Sequence, residues 1–231
     1  MDIKLKRSLL ALFFPNRCPV CGAIIGSMER FCISCTGKLT PYTGTSRPPH
    51  TKSFTACFVY DENIRPAIML LKRGVCGNAD YALGMYLAEK LRENGISDRI
   101  DLLIPVPMSR SGKAERGFNQ SELICKVVGR ELGIPTARSA AAKIRSTLPQ
   151  KSLGRMSRRV NVRNAFSVRK PEIIAGKRVL IIDDICTTGS TISELAKVLS
   201  SSGASEVHAA SCCRTQAGRK IMPPCNTDNH T

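Results

Sequence analysis

Apolar residues along this chain alternate between short continuous runs and longer stripes of helical period. "FTACFVY" (54–60), "DLLIPVP" (101–107), "GKRVLIIDD" (176–184) and "EVHAASCC" (206–213) are short apolar runs bounded by polar, Gly or Pro residues, and they predict strands. Between them, "NIRPAIMLLKRG" predicts a helix after Pro66. "YALGMYLAEKLREN" puts Leu83, Tyr86, Leu87 and Leu91 on one helical face. "FNQSELICKVVGRELG" predicts an amphipathic helix closed by Gly133. "TISELAKVLSSSG" sets Ile192, Leu195, Ala196 and Leu199 on one face and ends at Gly203. Strands alternating with helices predict a parallel sheet covered by helices on both faces.

Ahead of this alternation the pattern changes. "CPVCGAIIGSMERFCISC" holds Cys18, Cys21, Cys32 and Cys35 as two C-x2-C pairs. Two residues between cysteines let one tight turn aim both thiolates at one ion, and two such turns complete a tetrahedron. The reading is a structural zinc site, closed by four protein ligands, whose role is folding and not catalysis. Free thiols or redox pairs are the alternative. Eleven cysteines with this spacing point to a metal in a reducing compartment rather than to a disulfide framework.

"PYTGTSRPPHT" (41–51) reads as a linker, and the polar tail after Arg214 as disordered. The chain thus divides into an N-terminal helix and four-cysteine module (1–45), an α/β domain (54–214) and a tail (215–231). "KLKRSLLALFFP" has a signal-like look, but its apolar run is short and no A-x-A-like cleavage site follows. It reads as a short helix packed on the main domain. No transmembrane segment is expected, and the expected location is cytoplasmic.

The sequence of 231 residues carries 35 Lys and Arg against 18 Asp and Glu, a net charge of +17. That surplus predicts attraction to polyanions: nucleic acid, anionic lipid or phosphorylated small molecules. From Ala141 to Lys170 there are nine Lys and Arg and no acid, more than an ordinary solvated loop needs.

"VLIIDDICTTGST" (179–191) raises a sharper question, because a buried strand ends in two adjacent acids. In an open parallel sheet, ligands bind beyond the carboxyl ends of the strands. Asp183 and Asp184 fall there, followed by a loop whose Gly189 permits a tight turn into the next helix. Backbone N–H groups at that helix start, with the hydroxyls of Thr187, Thr188, Ser190 and Thr191, suit a phosphate. The carboxylates then face the neighbouring sugar, accepting hydrogen bonds from its hydroxyls or holding water on Mg²⁺. A strand followed by an ordinarily capped helix is the plainer alternative.

"VLIIDDICTTGST" resembles the phosphoribosyl-pyrophosphate (PRPP) fingerprint of type I phosphoribosyltransferases. With "CPVCG…FCISC", "PVP", "RGFNQ" and "TLPQKSLGRMSRRVNVRNAF" in that order, the chain resembles the ComF family from about Leu9 to Arg214. These are late-competence proteins that join a cysteine zinc module to a phosphoribosyltransferase-like domain. The resemblance implies an α/β fold, a type I phosphoribosyltransferase-like parallel sheet flanked by helices and preceded by a small zinc-ribbon-like module. It makes Asp183 and Asp184 the ribose-facing acids and Ile185, Cys186, Thr187, Thr188, Gly189, Ser190 and Thr191 the 5′-phosphate loop. "PVPMSRSG" takes the place of the pyrophosphate loop, so Ser109, Arg110, Ser111 and Gly112 are candidates there. "KIRSTLPQKSLGRMSRR" matches a mobile loop whose Arg145, Lys151, Arg155 and Arg158 neutralise a leaving pyrophosphate.

For function, the resemblance implies handling of single-stranded DNA during natural transformation, alongside a helicase-like partner and with a retained site for PRPP and Mg²⁺. An active phosphoribosyltransferase of unknown acceptor is the alternative. The chain has three histidines, and none is an evident general base. His50 falls in the linker, His230 in the tail and His208 inside a strand, where a core role is expected. Few aromatics predict backbone-led, salt-dependent DNA binding. A third reading makes the zinc module a docking surface through Phe13, Phe14 and Phe31, against a plainer one in which they fill its small core. Cys186, in the phosphate loop near a helix start, is a candidate redox switch, with an incidental small residue as the plainer account.

Overall fold

The computed structural model describes residues 13–74, 78–144 and 164–216. The expected N-terminal helix, Arg145, Lys151, Arg155, Arg158 and nearly all of the tail lie outside the described residues. A short helix, α1 (Ile33–Thr36), belongs to the cysteine module. The larger domain runs β1 (Phe54–Val59), α2 (Arg65–Arg73), α3 (Ala79–Glu93), β2 (Leu102–Pro105), α4 (Arg110–Arg116) and α5 (Gln120–Leu132). Next come β3 (Ala141–Lys143), β4 (Phe166–Val168), α6 (Pro171–Ile174), β5 (Arg178–Cys186), α7 (Ser190–Ser201) and β6 (Glu206–Arg214).

Four strands form a parallel sheet in the order β1-β6-β5-β2. Side-chain alternation along each strand sorts the core onto two faces. Leu103, Leu180, Ile182, Ala210 and Cys212 pack with Ile68 of α2, Leu83, Leu87 and Leu91 of α3, and Ile124 and Val128 of α5. On the opposite face, Leu102, Ile104, Val179, Ile181, Val207 and Ala209 meet Ile192, Leu195 and Leu199 of α7 and Phe166 of β4. The expected two-sided sheet is therefore present, with three helices on one side. The other side is covered by α7, α6 and the antiparallel β3–β4 pair.

This asymmetry creates an opening. β2 and β5 are hydrogen-bonded neighbours, yet the chain leaving β2 turns toward the face with α5, and the chain leaving β5 turns toward the face with α7. Connections diverging from adjacent parallel strands leave a crevice at their carboxyl ends.

Two expectations change. β5 does not stop at the acid pair: Ile185 and Cys186 stay in the strand and pair with Cys213 and Arg214 of β6. Continued pairing with a long β6 carries the ladder two residues past the carboxylates, so the true loop is only Thr187–Gly189. Nor is 41–51 a free linker. Pro41 pairs with Phe58, the Tyr42 N–H donates to the Cys57 carbonyl (2.9 Å), and Tyr42 is buried. The cysteine module shares this packing. Cys18, Ile25, Phe31, Cys35 and Leu39 belong to the same buried cluster as Cys57, Phe58 and α3. Phe31 meets Phe58 edge-on at 6.2 Å and Tyr86 at 5.6 Å. Module and domain thus share one core.

Candidate sugar-phosphate cleft and metal centre

The crevice is a cleft of about 650 Å³ lined by the end of β2, the start of α5, the end of β5 and the loop into α7. Asp183 and Asp184 lie on its floor with Ile185 and Cys186. Asp183 Oδ1 accepts from Ser121 Oγ (3.1 Å) and from the Asp184 N–H (2.9 Å). Asp184 Oδ1 accepts from the Ile185 N–H (2.8 Å), and its Oδ2 lies 3.3 Å from Lys72 Nζ. Burial, with the adjacent charge of Asp184, pushes the Asp183 carboxyl well above the ordinary carboxylate range. Burial lowers the Lys143 ammonium, against the opposing pull of Asp183. Two oxygen-rich acids, one raised by its neighbour's charge, fit a hard cation such as Mg²⁺, which would relieve that repulsion.

Of the expected phosphate loop, Ile185, Cys186, Thr187, Gly189, Ser190 and Thr191 line the cleft. Thr188 does not: its hydroxyl lies 2.8 Å from Ser190 Oγ and accepts from the Ser190 N–H at 3.4 Å. Gly189 needs its lack of a side chain twice over. Its φ is +77°, and an added Cβ would meet Pro48 at 3.1 Å. Cys186, buried at the end of β5, suits the plainer account of an incidental small residue better than a redox switch. Burial pushes the Cys186 thiol up to about 12 even with Arg214 beside it, so it stays protonated and weakly nucleophilic.

Ser109, Ser111 and Gly112 also line the cleft, and Arg110 does not. Ser109 caps α4, its hydroxyl accepting from the Gly112 N–H at 3.2 Å. That N–H is therefore engaged within the cap.

"RGFNQ" matters through its neighbours. Gly117 ends α4 with φ +78°, and Phe118 fills the space where Gly74 has no side chain. Asn119 caps α5 by accepting from the Ser121 N–H (3.1 Å), while its Nδ2 donates to the Val106 carbonyl (2.9 Å). The motif therefore ties the loop after β2 to the start of α5 and aims Ser121 at Asp183. Ser121, Lys72 and Lys143 were not anticipated as site residues. For Ser121 the signal lay in its place directly after "RGFNQ".

Away from the cleft, the Sγ atoms of Cys18, Cys21, Cys32 and Cys35 all lie within 4.8 Å of one another. Thiolates held at 2.3 Å from a tetrahedral Zn²⁺ sit about 3.8 Å apart, and Cys21 and Cys32 Sγ are 3.7 Å apart. The first knuckle is closed by the Gly22 N–H donating to the Cys18 carbonyl (2.8 Å), with Gly22 at φ +78°. Burial pushes the Cys18 thiol up, but hydrogen bonds from the backbone of Cys32, Cys21 and Val20 outweigh it and bring it to about 7. The four-sulfur donor set fits a structural zinc. Phe31 fills the shared core, whereas Phe13 and Phe14 are exposed. His208 is buried between Ser53 Oγ (2.7 Å) and Glu206 (3.1 Å), a core residue as expected, and His50 lies outside the cleft lining.

A parallel sheet opening on paired acids and a hydroxyl-rich loop, joined to a four-cysteine knuckle, defines a phosphoribosyltransferase-type domain behind a zinc ribbon. Residues 119–223 match the phosphoribosyl transferase domain family, and residues 9–47 match the double zinc ribbon domain. The chain belongs to the ComF family of competence-related proteins. It is 31% identical over 202 residues to DNA utilization protein YhgH of Escherichia coli K12, covering 86% of this chain and 84% of that protein. It is 33% identical over 152 residues to competence protein F of Haemophilus influenzae, covering 62% and 66%. With competence protein ComFC of Streptococcus pneumoniae it shares 29% over 163 residues, covering 70% and 68%.

Among solved structures, glutamine PRPP amidotransferase from B. subtilis superposes with a TM-score of 0.37 at 25% identity, over 55% of this chain and 24% of that one. The purine phosphoribosyltransferase of Pyrococcus horikoshii gives 0.37 at 18%, over 59% and 83%. The chain thus spans about a quarter of the amidotransferase. At these TM-scores the superpositions add nothing to the assignment, which rests on the strand order and the family matches. Among the described residues, no helix is long and apolar enough to cross a membrane.

Proposed function

We propose that the cleft binds PRPP, or a closely related ribose 5-phosphate, together with Mg²⁺, and that the protein uses this site while handling single-stranded DNA in the cytoplasm. The carrying observation is the acid pair at the end of β5, set beside a hydroxyl-lined loop and two lysines in one cleft. In this reading the ribose hydroxyls donate to Asp183 and Asp184. Thr187, Ser190 and Thr191 hold the 5′-phosphate, and Gly189 lets the backbone approach it. The ion neutralises the acids and the pyrophosphate together. Lys72, beside Asp184, and Lys143, within the field of Asp183, add positive charge to the cleft.

Transfer to an acceptor base is the second reading, supported by the match of residues 119–223 to the phosphoribosyl transferase domain family. The DNA role draws on the relatives, a DNA utilization protein and competence proteins, and on the net charge of +17. A helicase-like partner belongs to the same reading.

Calorimetric titration with Mg²⁺–PRPP tests it, with Asp183→Asn/Asp184→Asn as control. Saturable binding to the wild type that the double variant loses is the expected result. Absence of heat with the wild type, in protein that melts cooperatively, overturns the PRPP reading.

A further inference from the structure

A second depression of about 480 Å³ opens on the flank of the domain, and it shares no lining residue with the cleft. It lies between α5 and the segment that follows it. Two backbone hydrogen bonds pin that segment to β2: the Leu103 N–H donates to the Pro135 carbonyl and the Ala137 N–H to the Leu103 carbonyl, each at 2.9 Å. Gly129 makes the return possible. A Cβ there would lie 2.7 Å from Thr136 Oγ1 and 2.9 Å from the Ile134 carbonyl oxygen. The result is a groove with a fixed floor, lined by the exposed side chains of Lys126, Arg130 and Arg138.

No acid lines this groove, and none of the three cations is in an ion pair among the described residues. The acid next to Arg130, Glu131, is held instead by Arg92 of α3 (3.0 Å). Compensation of the helix dipole accounts for Arg130 in the last turn of α5. It does not account for Lys126, which lies a full turn earlier, or for Arg138, which lies off the helix. Like charges gathered in a groove concentrate anions there. Lys126 and Arg130 are separated by about 6 Å along the helix axis, close to the spacing of neighbouring phosphates in an extended single strand. No aromatic side chain lines the groove, so bases have nothing to stack on and contact falls to the backbone.

We propose that this groove is a track for the sugar-phosphate backbone of single-stranded DNA, separate from the PRPP cleft. The inference rests on the DNA-handling reading above and assigns it a surface. Binding there is indifferent to sequence and steep in salt, and PRPP does not compete with it.

The test uses the full chain, a fluorescent oligothymidylate and a salt series, comparing wild type with Lys126→Glu/Arg130→Glu/Arg138→Glu. A milder variant, Lys126→Gln/Arg130→Gln/Arg138→Gln, guards against misfolding, and Mg²⁺–PRPP calorimetry checks the cleft. The expected result is at least a tenfold loss of oligonucleotide affinity in the charge-reversed protein and a smaller loss in the neutral one. The log–log salt slope should fall by about 2, at roughly 0.7 per lost phosphate contact. PRPP binding should be unchanged, and saturating PRPP should not displace the oligonucleotide. Wild-type binding that both variants retain with the same slope overturns the groove and leaves DNA handling standing. A wild type that binds no oligonucleotide removes both. Equal competition by polyglutamate at matched charge marks a generic anion surface and overturns the assignment to nucleic acid.

Discussion

Asp183 is held beside a second carboxylate with one hydroxyl and one backbone N–H for company, and both burial and Asp184 oppose its ionisation. Its folded pKa therefore lies above the unfolded value of about 3.9. The folded protein binds this proton more tightly, so stability from this group is present at acidic pH and is lost as pH rises toward the folded pKa. In ligand-free protein the loss runs at up to about 1.4 kcal/mol per pH unit within that window. Asp183→Asn should melt higher than wild type at pH 8, and the two melting curves should converge near pH 4. Parallel curves across that range would show that the carboxyl is ionised at no cost. Opposite trends in stability and ligand binding are the expected signature of a group kept for a ligand. Ser121 and Lys72 share this site but sit 62 and 112 positions away from the acids they touch. The place of Ser121 directly after "RGFNQ" marks it, but no local pattern in the sequence announces Lys72.

Elements were legible where a period or a cap marked them. The face of α7 buries the four residues its period picked out, and α5 ends where Gly133 takes a left-handed φ of +70°. β3 and β4 were not legible. Each is three residues long, too short to display alternation, and each is stabilised by its partner rather than by its own pattern. The length of β5 escaped for a related reason, since its last two residues are strand only because β6 pairs with them. Helix packing gives a direct test at this scale. Gly84 of α3 faces α5 so closely that an added Cβ would lie 2.6 Å from Val127 Cβ. Gly84→Ala gains helix propensity but forces α3 and α5 apart, and overpacking of that kind costs about 1–3 kcal/mol. Chemical denaturation should register a net loss, whereas a gain would mean that the two helices slide without penalty. In the cysteine module, Cys32→Ser should release zinc, measured by metal analysis, and raise hydrogen exchange over residues 16–40. Full zinc content in that variant would sink the four-cysteine site.

Across the whole molecule, the segment between the zinc module and the sheet connects the two sites through Arg214. Arg214 is 8% exposed as a residue, and its guanidinium has no carboxylate partner among the described residues. It reaches Cys186 Sγ and Ser46 Oγ, each at 3.3 Å, and lies 4.6 Å from the Phe54 ring centroid. Two residues beyond Ser46, Pro48 packs on Gly189 of the loop between β5 and α7. A buried cation with such weak acceptors is costly by itself, and replacing buried charge with apolar volume is often neutral or stabilising. Placed directly behind Cys186, however, it adds positive potential to the loop that the reading above gives to a phosphate. Arg214→Met should therefore leave melting temperature unchanged or raised, while weakening Mg²⁺–PRPP binding roughly three- to tenfold, the effect of about 1 kcal/mol from one screened charge. A merely structural arginine gives the reverse pair, a lowered melting temperature with PRPP affinity intact. The same segment ties Ser46 and Pro48 to the packed module. Stripping zinc with a chelator should thus lower PRPP affinity in wild type and have less effect in Arg214→Met, where one of the ties is already cut.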